Sequence, residues 1–222
     1  MALEDYKEVV GSCAMYTTMA QMLSGTFICR NIHKKGSAKG VDPMPFLGAI
    51  GLCILMLRYA WMLGDSNMIN VNIFGLLTNM IYMIIYYYYA PNTKEVLKLI
   101  YKIAIFVAIF LVYAQMEHPA NVEFRFGIVV TVLLLLLIAA PLVHLKNVIK
   151  TKNTEILPFP LIFMGTLVSF QWLLYGLIID NVFVIFQNAI GFILNIIQLS
   201  LFVIFPSKNS QVELLNDYRK EN

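Results

Sequence analysis

Apolar residues fall in seven long blocks along this chain, and charged residues gather between them. The uncharged runs cover residues 9–29, 43–64 (broken only by Arg58), 66–93, 103–116, 126–145, 156–179 and 181–207. A helix needs about 20 predominantly apolar residues to cross hydrocarbon, so each run predicts a membrane-spanning helix. The fourth run is short. It reaches the required length only by taking in residues 99–101, with Lys102 extending its ammonium group toward the interface. Seven such spans leave short loops and a polar tail, with no room for a soluble domain.

The polar interruptions inside the runs recur. Pro43-Met44-Pro45-Phe46 answers Pro158-Phe159-Pro160-Leu161, and Tyr59-Ala60 answers Tyr175-Gly176. Val71-Asn72-Ile73-Phe74-Gly75 answers Gln187-Asn188-Ala189-Ile190-Gly191, and Asn79 then matches Asn195. The offset is 115 at the prolines and 116 from the tyrosines onward, so a single-residue gap aligns two groups of three spans. The expected fold class is therefore all-α and integral to the membrane: seven transmembrane helices, as two three-helix bundles joined by a linker helix. The bundles are placed at 9–93 and 125–206, the linker at 97–117, and a cytoplasmic tail at 207–222. Three is odd, so the unpaired fourth helix restores direction and the bundles run parallel. Parallel repeats imply a pseudo-two-fold axis along the membrane normal, with a substrate site at the repeat interface.

Charge sets the orientation. With the N-terminus outside, the inner segments hold 13 Lys and Arg: Arg30, Lys34, Lys35 and Lys39; Lys94, Lys98 and Lys102; Lys146, Lys150 and Lys152; Lys208, Arg219 and Lys220. The outer segments hold 2, Lys7 and Arg125. That asymmetry predicts an outside N-terminus and a cytoplasmic C-terminus. The net charge of +3 is thereby accounted for by topology and points to no nucleic-acid partner. At 59% hydrophobic and 13% charged, the composition is that of a bilayer protein. The acidic start at Glu4, Asp5 and Glu8 does not fit a signal peptide, so the first run is expected to be retained. Cys13, Cys29 and Cys53 all fall in or beside spans, predicting free thiols, no disulfide and no metal.

Several linked segments resemble the SWEET, or saliva-type, sugar facilitators, in an animal-like form, from about Val10 to Phe205. They are Ala140-Pro141-Leu142, the basic stretch 146–152, Ile156-Leu157-Pro158-Phe159, Trp172-Leu173-Leu174-Tyr175-Gly176 with Asp180, and Gln187-Asn188-x-x-Gly191. The resemblance implies bidirectional, energy-independent sugar transport by alternating access. It implies hinge prolines at Pro43, Pro141 and Pro158, with Gly25 standing where a fourth is expected; together these form an inner hinge or gate. It also implies that Tyr59 and Asp180 help close an outer gate, and that Asn72, Asn188, Trp172 and Met56 line the sugar pocket.

The residues themselves point the same way. Asn72 and Asn79, like Asn188 and Asn195, are seven apart and share a helical stripe, about 10 Å between members. An isolated intramembrane Asn ordinarily bonds a neighbouring helix; a pair related by the repeat faces across the axis. Asn79 and Asn195 are read as structural. An amide offers donors and acceptors without charge, which suits a neutral polyol. Trp172 offers a flat apolar face, and its repeat partner Met56 a soft one. Arg58 inside a span is expected to snorkel or to pair with Asp65 or Asp180. No Asp or Glu lies inside any span, which favours facilitated diffusion over proton or cation coupling.

Two other classes share the layout. A PQ-loop-type amino-acid exporter of an endosomal or lysosomal membrane would call for membrane carboxylates and a Pro-Gln pair. A seven-helix receptor lacks the triplet repeat. An enzyme would need a metal cluster, a nucleophile–base pair or paired carboxylates within the spans. The expected partners are a small sugar, glucose or another mono- or disaccharide, the lipid bilayer, and a second copy in a homo-oligomer; no cofactor is expected. The plasma membrane is the expected location, with Golgi or endosomal membrane the alternative.

Overall fold

The computed structural model describes residues 3–139, 142–154 and 157–205, and these are helical with short connections. The first expected span is two helices in series, α1 (Lys7–Met22) and α2 (Gly25–Lys35). They are followed by α3 (Met44–Leu63), α4 (Ser66–Tyr88), α5 (Thr93–Met116), α6 (Pro119–Ala139), α7 (Leu142–Thr151), α8 (Phe159–Ile178) and α9 (Val182–Ile204). Among the described residues, α3, α4, α5, α6, α8 and α9 are each long and apolar enough to cross a membrane. Pro141 and the tail at 207–222 lie outside the described residues.

The break between α1 and α2 has a local cause. Ser24 N–H bonds the Gln21 carbonyl and Thr26 N–H bonds the Leu23 carbonyl, both at 3.0 Å, so the ladder tightens to three-residue spacing. That strands the Met22 carbonyl, and the Tyr82 hydroxyl, reaching over from α4, donates to it at 3.3 Å while pairing with Thr26 Oγ1 at 2.9 Å. Gly25 makes the approach possible: a Cβ there would stand 2.4 Å from Tyr82 Cε2.

The remaining boundaries are written in caps. Asp65, Asn92 and Asn181 each accept a backbone N–H three residues on, from Met68, Glu95 and Val184, and so start α4, α5 and α9. Gly64 ends α3 in the left-handed conformation at φ 65°. Its counterpart 116 residues on is Asp180, which takes the same turn at φ 52°. Pro43 and Pro158 sit at the N-caps of α3 and α8, with Pro45 and Pro160 in the first turns. At those positions a proline removes no ladder bond, because the first N–H groups of a helix have no partner within it. Pro43 and Pro158 therefore begin helices and leave the ladders of α3 and α8 complete.

In each triplet the third helix packs against both others, α4 against α1 and α3, and α9 against α6 and α8. The triplets meet through two interfaces that the repeat interchanges, α1 with α8 and α3 with α6; the linker α5 lies against α3. The core follows the same division. At the end of the bundle carrying Tyr59 and Tyr175, one core is shared, with Ala14, Leu55, Phe126, Val130 and Val184 from both triplets packed together. At the lysine-rich end there are two cores. One gathers Cys29, Ile32, Phe46, Tyr82 and Val96, and the other Leu145, Val148, Leu157, Ile162 and Leu201. The bundle thus shares one core at the tyrosine end and divides into two at the other, where Gln21 Nε2 still reaches across to the Leu161 carbonyl at 3.4 Å.

Candidate functional site: a cavity between the triplets

A cavity of about 590 Å³ occupies the gap between the two triplets, inside the 300–1,000 Å³ range of small-molecule sites. Its walls come from both repeats and include Asn72, Asn188, Trp172 and Met56, the four residues expected at the pocket. It runs from Met68 and Val184 near the shared core to Gly25, Ile28, Pro45 and Leu161 toward the lysine-rich end.

The two asparagines are held alike. Asn72 Nδ2 donates to the Met68 carbonyl at 2.7 Å, and Asn188 Nδ2 donates to the Val184 carbonyl at 2.9 Å. Each amide spends one N–H on its own helix, four residues back, and keeps its oxygen and second N–H for another partner. The helix thereby fixes the rotamer of a group aimed at the cavity, the arrangement a preorganised polar contact needs. Trp172 is oriented from across the bundle, its Nε1–H donating to Thr18 Oγ1 of α1 at 2.8 Å. Its indole meets Tyr175 edge-on, with centroids 5.5 Å apart.

Asn79, read from sequence as structural, donates to the Gly75 carbonyl at 2.8 Å and also lines the cavity. Asn195 approaches Ser169 Oγ at 3.5 Å and does not line it. Gly75 permits a close approach, since a Cβ there would meet Met22 Cε at 2.9 Å and Cys53 Sγ at 3.0 Å. Five polar wall residues, Thr18, Gln21, Ser24, Tyr82 and Gln187, were given no role from the sequence. Each is a polar position inside an apolar run, the one signal that could have found them.

The tyrosine end is shut by two cross-bundle ties that the repeat interchanges. Asn181 Nδ2 donates to the Tyr59 hydroxyl at 3.0 Å. The Tyr175 hydroxyl donates to Asp65 Oδ2 at 2.5 Å and accepts from Asn67 Nδ2 at 3.3 Å. Tyr59 and Tyr175 are fully buried. Asp65 and Asn181 are the N-caps of α4 and α9, so each tie is anchored at a helix start. Gly11 of α1 passes beneath the second tie, where a Cβ would stand 2.6 Å from the Tyr175 ring.

Asp180 is not brought to Tyr59. It is exposed in the left-handed turn between α8 and α9, and the next residue, Asn181, makes the contact. Gly25 lies at the α1–α2 break and lines the cavity, Pro43 and Pro158 lie at helix starts, and Pro141 is outside the described residues. Arg58 is half-buried and forms no ion pair with Asp65 or Asp180; among the described residues the ion pair is Arg125 with Glu117 at 2.9 Å. At that elbow between α5 and α6, hydrogen bonds from the Tyr113 hydroxyl, the His118 N–H and Arg125 hold the Glu117 carboxyl below its usual range.

Comparison with known proteins agrees with this geometry. The family model described as "Sugar efflux transporter for intercellular exchange" matches the chain twice, at residues 8–94 and 124–210. The chain is 35% identical over 208 residues to a sugar transporter SWEET1 of Drosophila pseudoobscura pseudoobscura, covering 91% of each protein. It is 30% identical over 194 residues to the bidirectional sugar transporter SWEET10 of Arabidopsis thaliana, covering 84% of this chain and 66% of that one. The solved structure of a eukaryotic SWEET transporter superposes with a TM-score of 0.84 at 24% identity, covering 94% of this chain and all of the other. With both repeats matched and a relative 35% identical along nine-tenths of its length, the chain belongs to the SWEET family.

Proposed function

We propose that this multi-pass membrane protein carries a neutral sugar, glucose or a close relative, down its gradient by alternating access. The observation that carries the reading is the cavity of about 590 Å³ at the interface of the triplets, with Asn72 and Asn188 held as symmetric amides beside Trp172 and Met56. Amides and an indole suit hydroxyls on a ring with an apolar face. The described lining carries no carboxylate, Lys, Arg or His, so it offers neither a proton carrier nor a partner for a zwitterion. That favours an uncoupled sugar uniporter over an amino-acid exporter.

The conformation supports the mechanism. The Tyr59–Asn181 and Tyr175–Asp65 ties close one end, while separate cores and the α1–α2 break lie at the other. With the lysine-rich end cytoplasmic, the state is inward-facing and the tyrosines form the outer gate. Rocking the triplets apart about the shared core exposes the cavity to the other side. Gly25, Pro43 and Pro158 lie toward the inner end, and together with Pro141 they are the hinge or gate of the proposal. The plasma membrane is the proposed location.

Uptake of radiolabelled glucose, and in parallel a disaccharide, in cells lacking hexose carriers tests the reading, at two external pH values and with a protonophore. Saturable, protonophore-insensitive uptake is expected, and it should be lost in Asn72→Ala and Asn188→Ala at unchanged surface expression. Unchanged uptake in both variants would remove the site. No uptake of any sugar by surface-expressed wild type would remove the function.

A further inference from the structure

The repeat makes the two halves of the cavity comparable position by position, and at one position they differ sharply. Val71 precedes Asn72 on α4, and its counterpart before Asn188 on α9 is Gln187. Both residues line the cavity, and both are buried, Val71 at 5% and Gln187 at 2% exposure. Valine makes no polar demand there. Gln187 does: its Oε1 is sealed from solvent and has no hydrogen-bond partner. A buried amide oxygen without a donor is costly, and such groups are uncommon in folded proteins. No nearby side chain satisfies it, although an N–H of each of Trp172, Asn72 and Asn188 on the same walls has an internal partner.

We propose that Gln187 is a substrate-contacting residue that fixes the orientation of the sugar, its amide turning so that the oxygen now sealed in the wall accepts a hydrogen bond from one ring hydroxyl. The inference rests on the transport reading above and adds a direction to it. Two symmetric asparagines alone would grip a sugar equally well in either sense about the pseudo-two-fold axis. Gln187 and Trp172 stand on the second triplet, with Val71 and Met56 opposite. The second-triplet wall therefore takes the polar edge and stacked face together, and the first-triplet wall takes the apolar side. One hydroxyl is then read by Gln187 and by no equivalent in the other half.

The test is competition by a set of monodeoxyglucoses against labelled glucose in cells lacking hexose carriers, for wild type, Gln187→Leu and Gln187→Met. In wild type one deoxy isomer should compete at least ten-fold more weakly than the others, because it leaves Oε1 unpaired. In either variant that penalty should fall to within about two-fold, with the ranking of the remaining isomers unchanged. The two apolar shapes guard against a packing defect in one of them. A uniform loss of transport for all isomers in both variants would mark Gln187 as structural and overturn the proposal. So would a penalty that survives both substitutions. Wild type that carries no sugar at all would instead bring down the transport reading, and the assignment of Gln187 with it.

Discussion

The two tyrosine ties are alike in position and unlike in chemistry, and the difference predicts unequal effects. The Tyr59 hydroxyl meets a neutral amide, Asn181, at 3.0 Å. The Tyr175 hydroxyl meets a carboxylate, Asp65, at 2.5 Å. A neutral hydrogen bond contributes about 0.5–1.5 kcal/mol net, and one to a charged group about 1.5–3 kcal/mol. Both ties cross between triplets, so each contributes to the closed state and is lost when the tyrosine end opens. At about 1.4 kcal/mol per factor of ten, Tyr59→Phe should raise the open population about 2- to 10-fold. Tyr175→Phe should raise it about 10- to 150-fold. The upper part of that range is favoured because the change also strips a donor from Asp65, which is only 8% exposed.

A native reporter is in place. Cys53 lines the cavity and is buried, and Cys13 and Cys29 are the other two cysteines. In a Cys13→Ser, Cys29→Ala background, a membrane-impermeant thiol reagent applied at the tyrosine end of sealed vesicles reaches Cys53 only when that end opens. The labelling rate should rise modestly in Tyr59→Phe, much more in Tyr175→Phe, and most in the double variant. A rate unmoved by Tyr175→Phe would refute the latch. A larger effect from Tyr59→Phe would refute the ranking by charge.

Asp180→Gly should leave transport unchanged and be neutral or stabilising by up to about 1 kcal/mol, since it relieves a left-handed residue, whereas Asn181→Ala removes both a helix cap, worth about 0.5–2 kcal/mol, and the Tyr59 tie. Cys53 labelling from the tyrosine end separates the two: it should rise only in Asn181→Ala. Gly25→Ala forces a Cβ against the Tyr82 ring and should cost about 1–3 kcal/mol. For a chain of this size that is a fall of about 2–12 °C in the thermal midpoint of the detergent-solubilised protein. Tyr82→Phe keeps the ring but strands the Met22 carbonyl, and should lower the midpoint by a smaller amount.

What could be read from the sequence followed from long-range regularity. Bilayer thickness forces long apolar runs, and the duplication leaves its mark on residues such as Tyr59 and Tyr175 wherever helices must start, cross or bond alike. The cavity residues Asn72 and Asn188 were legible for that reason. The details that escaped depend on one residue's backbone. The division of the first span at Leu23 and Ser24 involves no charge and no proline; it arises because Gly25 lets a tyrosine 57 positions away fill the gap. That Pro43 and Pro158 begin helices was not legible, because a proline's local effect depends on whether it falls at the helix start or beyond it. Asp180 was expected at the outer gate by resemblance, and it is Asn181 that bonds Tyr59 here. With an offset of 116, the counterpart of Asp65 is Asn181, and that of Asp180 is Gly64.

The same arithmetic gives the deeper lesson of the molecule. Two backbone demands are met alike in the two copies: Gly64 and Asp180 take the same left-handed turn, and so do Gly36 and Lys152. Side chains diverge at the gate and in the cavity, where Asp65 corresponds to Asn181, Met56 to Trp172, and Val71 to Gln187. A perfectly symmetric carrier would hold an asymmetric sugar in two orientations and close its gate with two equal ties. Each divergence removes one of those degeneracies while the shared helix starts and crossings keep the triplets able to rock as matched bodies. On this reasoning the strong tie sets how long the tyrosine end stays shut, and the Gln187–Trp172 wall sets which way the sugar lies while it does. Exchanging the acid and the amide, as Asp65→Asn with Asn181→Asp, should therefore leave the preference among deoxyglucoses intact and move the larger labelling effect from Tyr175→Phe to Tyr59→Phe.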